Sequence, residues 1–179
     1  LRRAHEQGLP VKVIRLGRVL PDADGQYVNQ NDTLVIWLRA ACAVGSMPDW
    51  IMSELATPVD VVARAVIASM ASLGGSDDMI AYPPLAPVAL RQLMEAASRL
   101  LSPLETLSLS QWLKRLDKSN DQNVRRAQLL LSLYSEASLL EDARDELDGT
   151  LNELRGVIDV GWKELSTTEM ERMVRSILT

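Results

Sequence analysis

Phenylalanine is absent from these 179 residues, and cysteine and histidine occur once each, as Cys42 and His5. A lone cysteine excludes a disulfide framework, and one residue of each kind is too few for a Cys/His metal site. No apolar run approaches the roughly 18 residues that a membrane helix needs, and no signal peptide is apparent. No basic stripe runs along the chain, which argues against nucleic acid as the main partner. Together these shortages lead to the expectation of a soluble protein in a reducing, cytoplasmic compartment, with no membrane or nucleic-acid partner.

The remaining composition suits a single folded domain, 1–179. Apolar residues make up 47% of the chain, too many for disorder, and the length allows a substantial core. Without Phe, that core must be filled by Leu, four Trp and three Tyr. The net charge of −5 is uneven: residues 141–179 carry ten acidic and five basic side chains, so residues 1–140 balance. The acidic run at 141–148 reads as a solvated face. The chain opens at Leu1 in a helix-like segment without Met, so a piece of a longer protein is expected.

The most informative stretch is Gly8 to Asp32. Gly8 and Pro10 stop the helix to which Leu1–Gln7 belongs. Val11–Leu20 carries apolar residues on both faces of an extended chain, which predicts a strand covered on both sides, as in a parallel sheet. Pro21–Gly25 is turn-rich, and Asn31-Asp32-Thr33 stands where a helix N-cap would be. Ligands in open parallel α/β sheets bind beyond the carboxyl ends of strands, so the loop Val19–Asp32 is where a ligand is expected.

Farther along, Leu34, Trp37, Leu38, Ala41 and Cys42 predict an amphipathic helix over Thr33–Val44, ended by Gly45. Met47–Glu54 reads as a connector bearing Trp50. Thr57-Pro58-Val59-Asp60 has the form of a capping box. The helix after it is expected to bury Val59, Val62, Ala63, Val66, Ile67 and Met70. Met79–Tyr82 and Leu104–Leu109 are short strand candidates, Pro87–Leu101 and Ser110–Leu116 helices, the latter with Trp112 inward. Leu129–Leu131 and Leu133 are too continuous for a solvated face, and Leu139–Leu165 mixes acids with Leu. Ser166 and Glu169 form a second capping box, leading Met170, Met173, Val174 and Ile177 into a final helix.

The run A-x-x-x-GLPV-x-x-x-RLGRV, then DG-x-x-x-N-x-x-D, and later ATPVDVVARAV, resembles the thioester reductase domains that end nonribosomal peptide and polyketide synthetases. These are extended short-chain dehydrogenase/reductases. The resemblance is clear over residues 1 to about 73, and weaker spacing matches continue to about Asp117. It implies the fold class: an α/β remnant with a mainly helical C-terminal part, the substrate-binding half of an extended dehydrogenase/reductase. Residues 1–30 would end a Rossmann-like sheet and 31–179 form a mostly helical subdomain. One departure is Leu16, where the family usually has Pro near the nicotinamide.

The chemistry of such an oxidoreductase needs a Gly-rich turn at the cofactor pyrophosphate and a Tyr held near a Lys. Neither exists here: the nine glycines form no G-x-x-G-x-x-G, and Asn31, Ala86 and Ser138 stand four places after Tyr27, Tyr82 and Tyr134. No catalytic residue or metal ligand is therefore assigned, and the N-terminal cofactor-binding half is expected to lie upstream. The resemblance implies that NADPH serves the full-length enzyme and does not bind this chain alone. By the same resemblance the partner is an acyl or peptidyl carrier protein with its phosphopantetheine thioester, released as aldehyde or alcohol. Leu16, Gly17 and Arg18 would border the cofactor, and Val19, Leu20, Tyr27, Asn29, Asp32 and Trp37 the substrate.

Other readings of the same residues stay open. Arg15 and Arg18 could instead pair with carboxylates, Tyr27, Asn29 and Asp32 could shape a turn and cap a helix, and Trp37 could be core. Asp60 reads as a cap, Cys42 as an inert thiol and His5 as a surface residue. The whole chain could alternatively be a non-catalytic helical docking module, or part of a fatty acyl reductase or an epimerase.

Overall fold

Asp32 and Gly45 bracket the helix on which the fold is built. The Asp32 carboxylate accepts the Leu34 N–H at 2.8 Å, and Gly45 takes the left-handed conformation at φ 65° that closes a helix. The computed structural model describes residues 2–49, 53–71, 80–133, 156–162 and 164–179. In it the helix, α2 (Thr33–Val44), buries Leu34 to Leu38 and Ala40 and Ala41, so it is enclosed nearly all round. Around it pack α4 (Leu90–Leu100), α5 (Leu109–Leu116), α6 (Gln122–Leu131) and α7 (Thr167–Leu178). Two further helices, α1 (Arg2–Glu6) and α3 (Val59–Ala71), complete the seven among the described residues.

The predicted long strand Val11–Leu20 is divided. Its parts are β1 (Val13–Ile14) and β2 (Arg18–Leu20), and they join different sheets, each with parallel pairing as expected. Gly17 lies at the step between them: a Cβ there would stand 2.4 Å from the Leu55 carbonyl oxygen, so the two backbones pass too closely for any side chain. β1 pairs with β5 (Ile80–Ala81), and β2 with β4 (Ser53–Pro58), which also pairs antiparallel with β6 (Ala86–Ala89). A third pair joins β3 (Ser46–Pro48) to β7 (Glu105–Leu107).

Several expectations fail locally. The connector Met47–Glu54 contributes to β3 and β4, and Pro87 lies in β6, so α4 begins three residues later, at Leu90. The capping box at Thr57 does not form: Thr57 lies within β4, its hydroxyl donating to the Pro84 carbonyl, and the Asp60 carboxylate accepts the Ala23 N–H at 3.2 Å. With the helix start set by β4, α3 buries Val61, Val62, Ala65 and Ser69, while Ile67 is 68% and Met70 63% exposed. Both faces of this segment carry small and branched apolar residues, so periodicity could not choose between them. Leu129 and Leu133 also face solvent. Five of the seven strands lie after residue 31, in the part expected to be mostly helical.

Other expectations hold. Trp112 is fully buried and its indole N–H donates to the Ser46 carbonyl at 2.9 Å. Ser166 and Glu169 form their capping box, and Met170, Met173, Val174 and Ile177 are buried. His5 is exposed. Trp50, the acidic run 141–148 and most of Leu139–Leu165 lie outside the described residues. No helix among the described residues is long and apolar enough to cross a membrane.

Candidate functional site

Strand β2 delivers Arg18 into a set of charges that three elements build. The Arg18 guanidinium Nη1 lies 3.2 and 3.3 Å from the Asp32 carboxylate oxygens, and Nη2 lies 3.1 Å from Glu54 Oε1. Its Nε donates to Glu54 Oε2. Asp32 thus caps α2 and holds β2 at once, and Glu54 ties in β4. These side chains are 17%, 22% and 32% exposed, shielded enough for the pairs to be worth more than surface ones.

Beside this cluster opens a cavity of about 520 Å³, lined by Arg18, Val19, Asn29, Asp32, Ser53, Glu54 and Leu55. Its strand residues are the first two of β2 and the first three of β4, so it opens at the amino ends of these strands, beside Asn29 and Asp32 of the loop that follows β2, and not beyond the carboxyl end expected for a ligand in a parallel sheet. A second cavity of about 10 Å³ adjoins the same Arg18 and Glu54 and is otherwise apolar, with Leu20, Leu34, Trp37, Val88 and Leu90. That volume is about one water molecule's worth.

The loop between β2 and α2 is fixed from several sides. Within it, Tyr27 N–H donates to the Asp22 carboxylate at 2.6 Å, and the Asn29 side-chain oxygen accepts the Asn31 N–H at 3.1 Å. From outside, Arg126 of α6 donates to the Asn31 side chain at 2.9 Å. Arg172 of α7 pairs with Asp24 at 2.9 Å. Gly25 has φ 71°, and a Cβ on it would stand 2.9 Å from the Arg172 carbonyl oxygen, so loop and helix touch through backbone.

Of the residues singled out from sequence, Arg18, Val19, Asn29 and Asp32 meet in the large cavity. Leu20 (3% exposed) and Trp37 (1%) belong to the hydrophobic core and reach only the small one. Tyr27 is 59% and Leu16 50% exposed, and neither lines either cavity. Gly17 is closed over by Leu55. Sequence reading missed Ser53, Glu54 and Leu55, because Met47–Glu54 passed for a connector and the residues of β4 show no alternation that marks a strand.

Among the described residues the cavity lining holds no Tyr, Lys, His or Cys, and its ionisable side chains are Arg18, Asp32 and Glu54, which are paired with one another. The residues present do not fit a dinucleotide pyrophosphate either: among the described residues no Gly-rich turn faces a helix N-terminus, and the backbone at Gly17 is already covered. Cys42 lies on α2, where burial pushes its thiol up, away from the reactive thiolate.

Residues 1–66 match the model of an NAD-binding family described as "Male sterility protein". The isonitrile lipopeptide synthase of Streptomyces coeruleorubidus is 36% identical over 121 residues, 67% of this chain and 8% of that protein. The L-2-aminoadipate reductase large subunit of Eremothecium gossypii is 29% identical over 124 residues, 68% of this chain and 9% of that protein. The chain thus spans under a tenth of these relatives. Among solved structures, the terminal R domain of the myxalamid PKS-NRPS pathway superposes with TM-score 0.68 at 21% identity, covering 98% of this chain and 45% of that one. The reductase domain of a nonribosomal peptide synthetase from Mycobacterium tuberculosis gives 0.68 at 19% identity, covering 98% and 47%. At such identities the superpositions establish the fold. Fold, family match and relatives converge on the reductase domains of nonribosomal peptide and polyketide synthetases: the chain has their extended short-chain dehydrogenase/reductase fold and spans under half of the solved ones.

Proposed function

We propose that this chain is the substrate-holding part of an NAD(P)H-dependent thioester reductase that releases a carrier-bound acyl or peptidyl thioester as aldehyde or alcohol. The observation that carries the reading is the 520 Å³ cavity beside β2 and β4, where Arg18, Val19, Asn29 and Asp32 come from the stretches that mark the family. Cofactor, when bound, would supply hydride, and the Rossmann half expected upstream would hold it and furnish the proton donor. This chain's part is positioning, which can account for several kcal/mol of a barrier. Asp32, Glu54 and Arg18 set the cavity wall, and the loop 21–31 borders it. The carrier protein would approach that opening.

NADPH consumption tests the reading. The 179-residue chain alone should neither oxidise NADPH with a thioester nor bind it in the micromolar range by calorimetry. The chain joined to its upstream half should turn over a carrier-bound thioester. A joined protein that binds NADPH yet leaves every thioester intact would overturn the proposal.

A further inference from the structure

The loop that follows β2 gives the large cavity two lining residues, Asn29 and Asp32, and Asn31 stands between them in sequence. The three are tied together. The Asn31 N–H donates to the Asn29 side-chain oxygen at 3.1 Å, and the Asp32 N–H to the Asn29 carbonyl at 3.0 Å. The Asp32 carboxylate in turn accepts from the Leu34 N–H and from Arg18. A displacement of Asn31 is therefore passed to the Asn29 amide and the Asp32 carboxylate together.

Asn31 is itself held from outside the loop. Arg126 donates from Nη2 to the Asn31 side-chain oxygen at 2.9 Å. Helix α6 gives that arginine a fixed base. Its cap, Asp121, accepts the Asn123 N–H at 2.7 Å, and Val124, Ala127 and Leu131 are buried in the core. Arg125, the residue before it, turns instead to Asn120 at 3.2 Å. The acceptor of Arg126 is a neutral amide, so the contact supplies direction more than charge pairing. Arg172 also grips the loop, but farther from the lining, at Asp24.

We propose that Arg126 is a positioning residue for the reduction: through Asn31 it sets where Asn29 and Asp32 stand against the thioester-bearing chain. The inference rests on the reading of the cavity as the place that holds that chain, and it adds a residue outside the cavity lining. A wall that holds the chain alike before and during reduction acts on KM and leaves kcat in place. Misplacement by about 1 Å can cost about a hundredfold, so losing one tether of several should cost less.

The test measures NADPH consumption with carrier-bound thioester in the joined protein, and amide hydrogen exchange in the ¹⁵N-labelled 179-residue chain. Arg126→Ala should raise KM about two- to tenfold, the worth of one hydrogen bond, with kcat kept within about twofold. Arg126→Lys keeps a donor and should recover most of the loss. Asn31→Ala removes the same contact from the loop, at an exposed position, and combining it with Arg126→Ala should add nothing further. Arg125→Ala is the control and should match wild type. In the labelled chain, the Asn31 and Asp32 amides should exchange about threefold faster or more in Arg126→Ala than in Arg125→Ala. A fall in kcat with KM unchanged would mark a loss of folded protein and overturn the proposal. An equal change in Arg125→Ala, or equal exchange rates in the two variants, would do the same. A joined protein that binds NADPH and turns over no thioester would remove the reductase reading, and the exchange rates would still decide whether Arg126 holds the turn.

Discussion

Removing the Arg18 guanidinium would leave Asp32 and Glu54 facing each other without a cation, both less than a third exposed. Exposed pairs are worth at most about 1 kcal/mol, and fully buried ones cost 3–5 when one partner is lost. This cluster lies between, so Arg18→Ala should lower stability by about 2 kcal/mol in urea melts, with part recovered in Arg18→Ala/Glu54→Ala. A loss under 0.5 kcal/mol would mean that the cluster is as solvated as a surface pair. Half of the cluster was legible in sequence. Asp32 stands before an apolar periodic run, where local chemistry demands a cap, and the structure confirms it. Glu54 was not legible, because its meeting with Arg18 follows from the register Arg18↔Ala56 between strands 36 residues apart. Local pattern carries no information about that register.

Helices α7 and α3 differ in how far their pattern fixes the buried face. In α7, Met170, Met173, Val174 and Ile177 face in, with Glu169, Glu171, Arg172 and Arg175 among the remaining positions, and one orientation is possible. In α3 the run Val61-Val62-Ala63 to Val66-Ile67 offers two, and the strand before it decides. Val61→Ala should therefore cost about 2 kcal/mol, two buried methyl groups plus a cavity. Ile67→Ala should stay within about 0.5 kcal/mol; a large loss at Ile67 in the same melts would reverse the face. The joint between loop 21–31 and α7 makes a similar contrast. Asp24 is 73% and Arg172 48% exposed, so Arg172→Ala should cost less than about 1 kcal/mol. Gly25→Ala forces a side chain into the left-handed region and toward the Arg172 carbonyl, and should cost about 2 kcal/mol or more. Equal losses would assign the joint to the ion pair.

At the scale of the molecule, the cavity wall is made from distant parts of the chain. Asn31 is held from 95 residues away, by Arg126, and Asp24 from 148 residues away, by Arg172. Arg39 of α2 donates to the Ile177 carbonyl across 138 residues. Chains shortened before Thr167 should leave the 21–32 segment open to protease while wild type resists. Equal resistance would show that α6 alone suffices. The separation also has a consequence in time. A ribosome adding about 5–20 residues per second reaches Arg172 on the order of ten seconds after Asp24 has been made. Throughout that interval the nascent segment that will border the binding cavity has no α7 to rest on, so the wall closes only after α7 has been made.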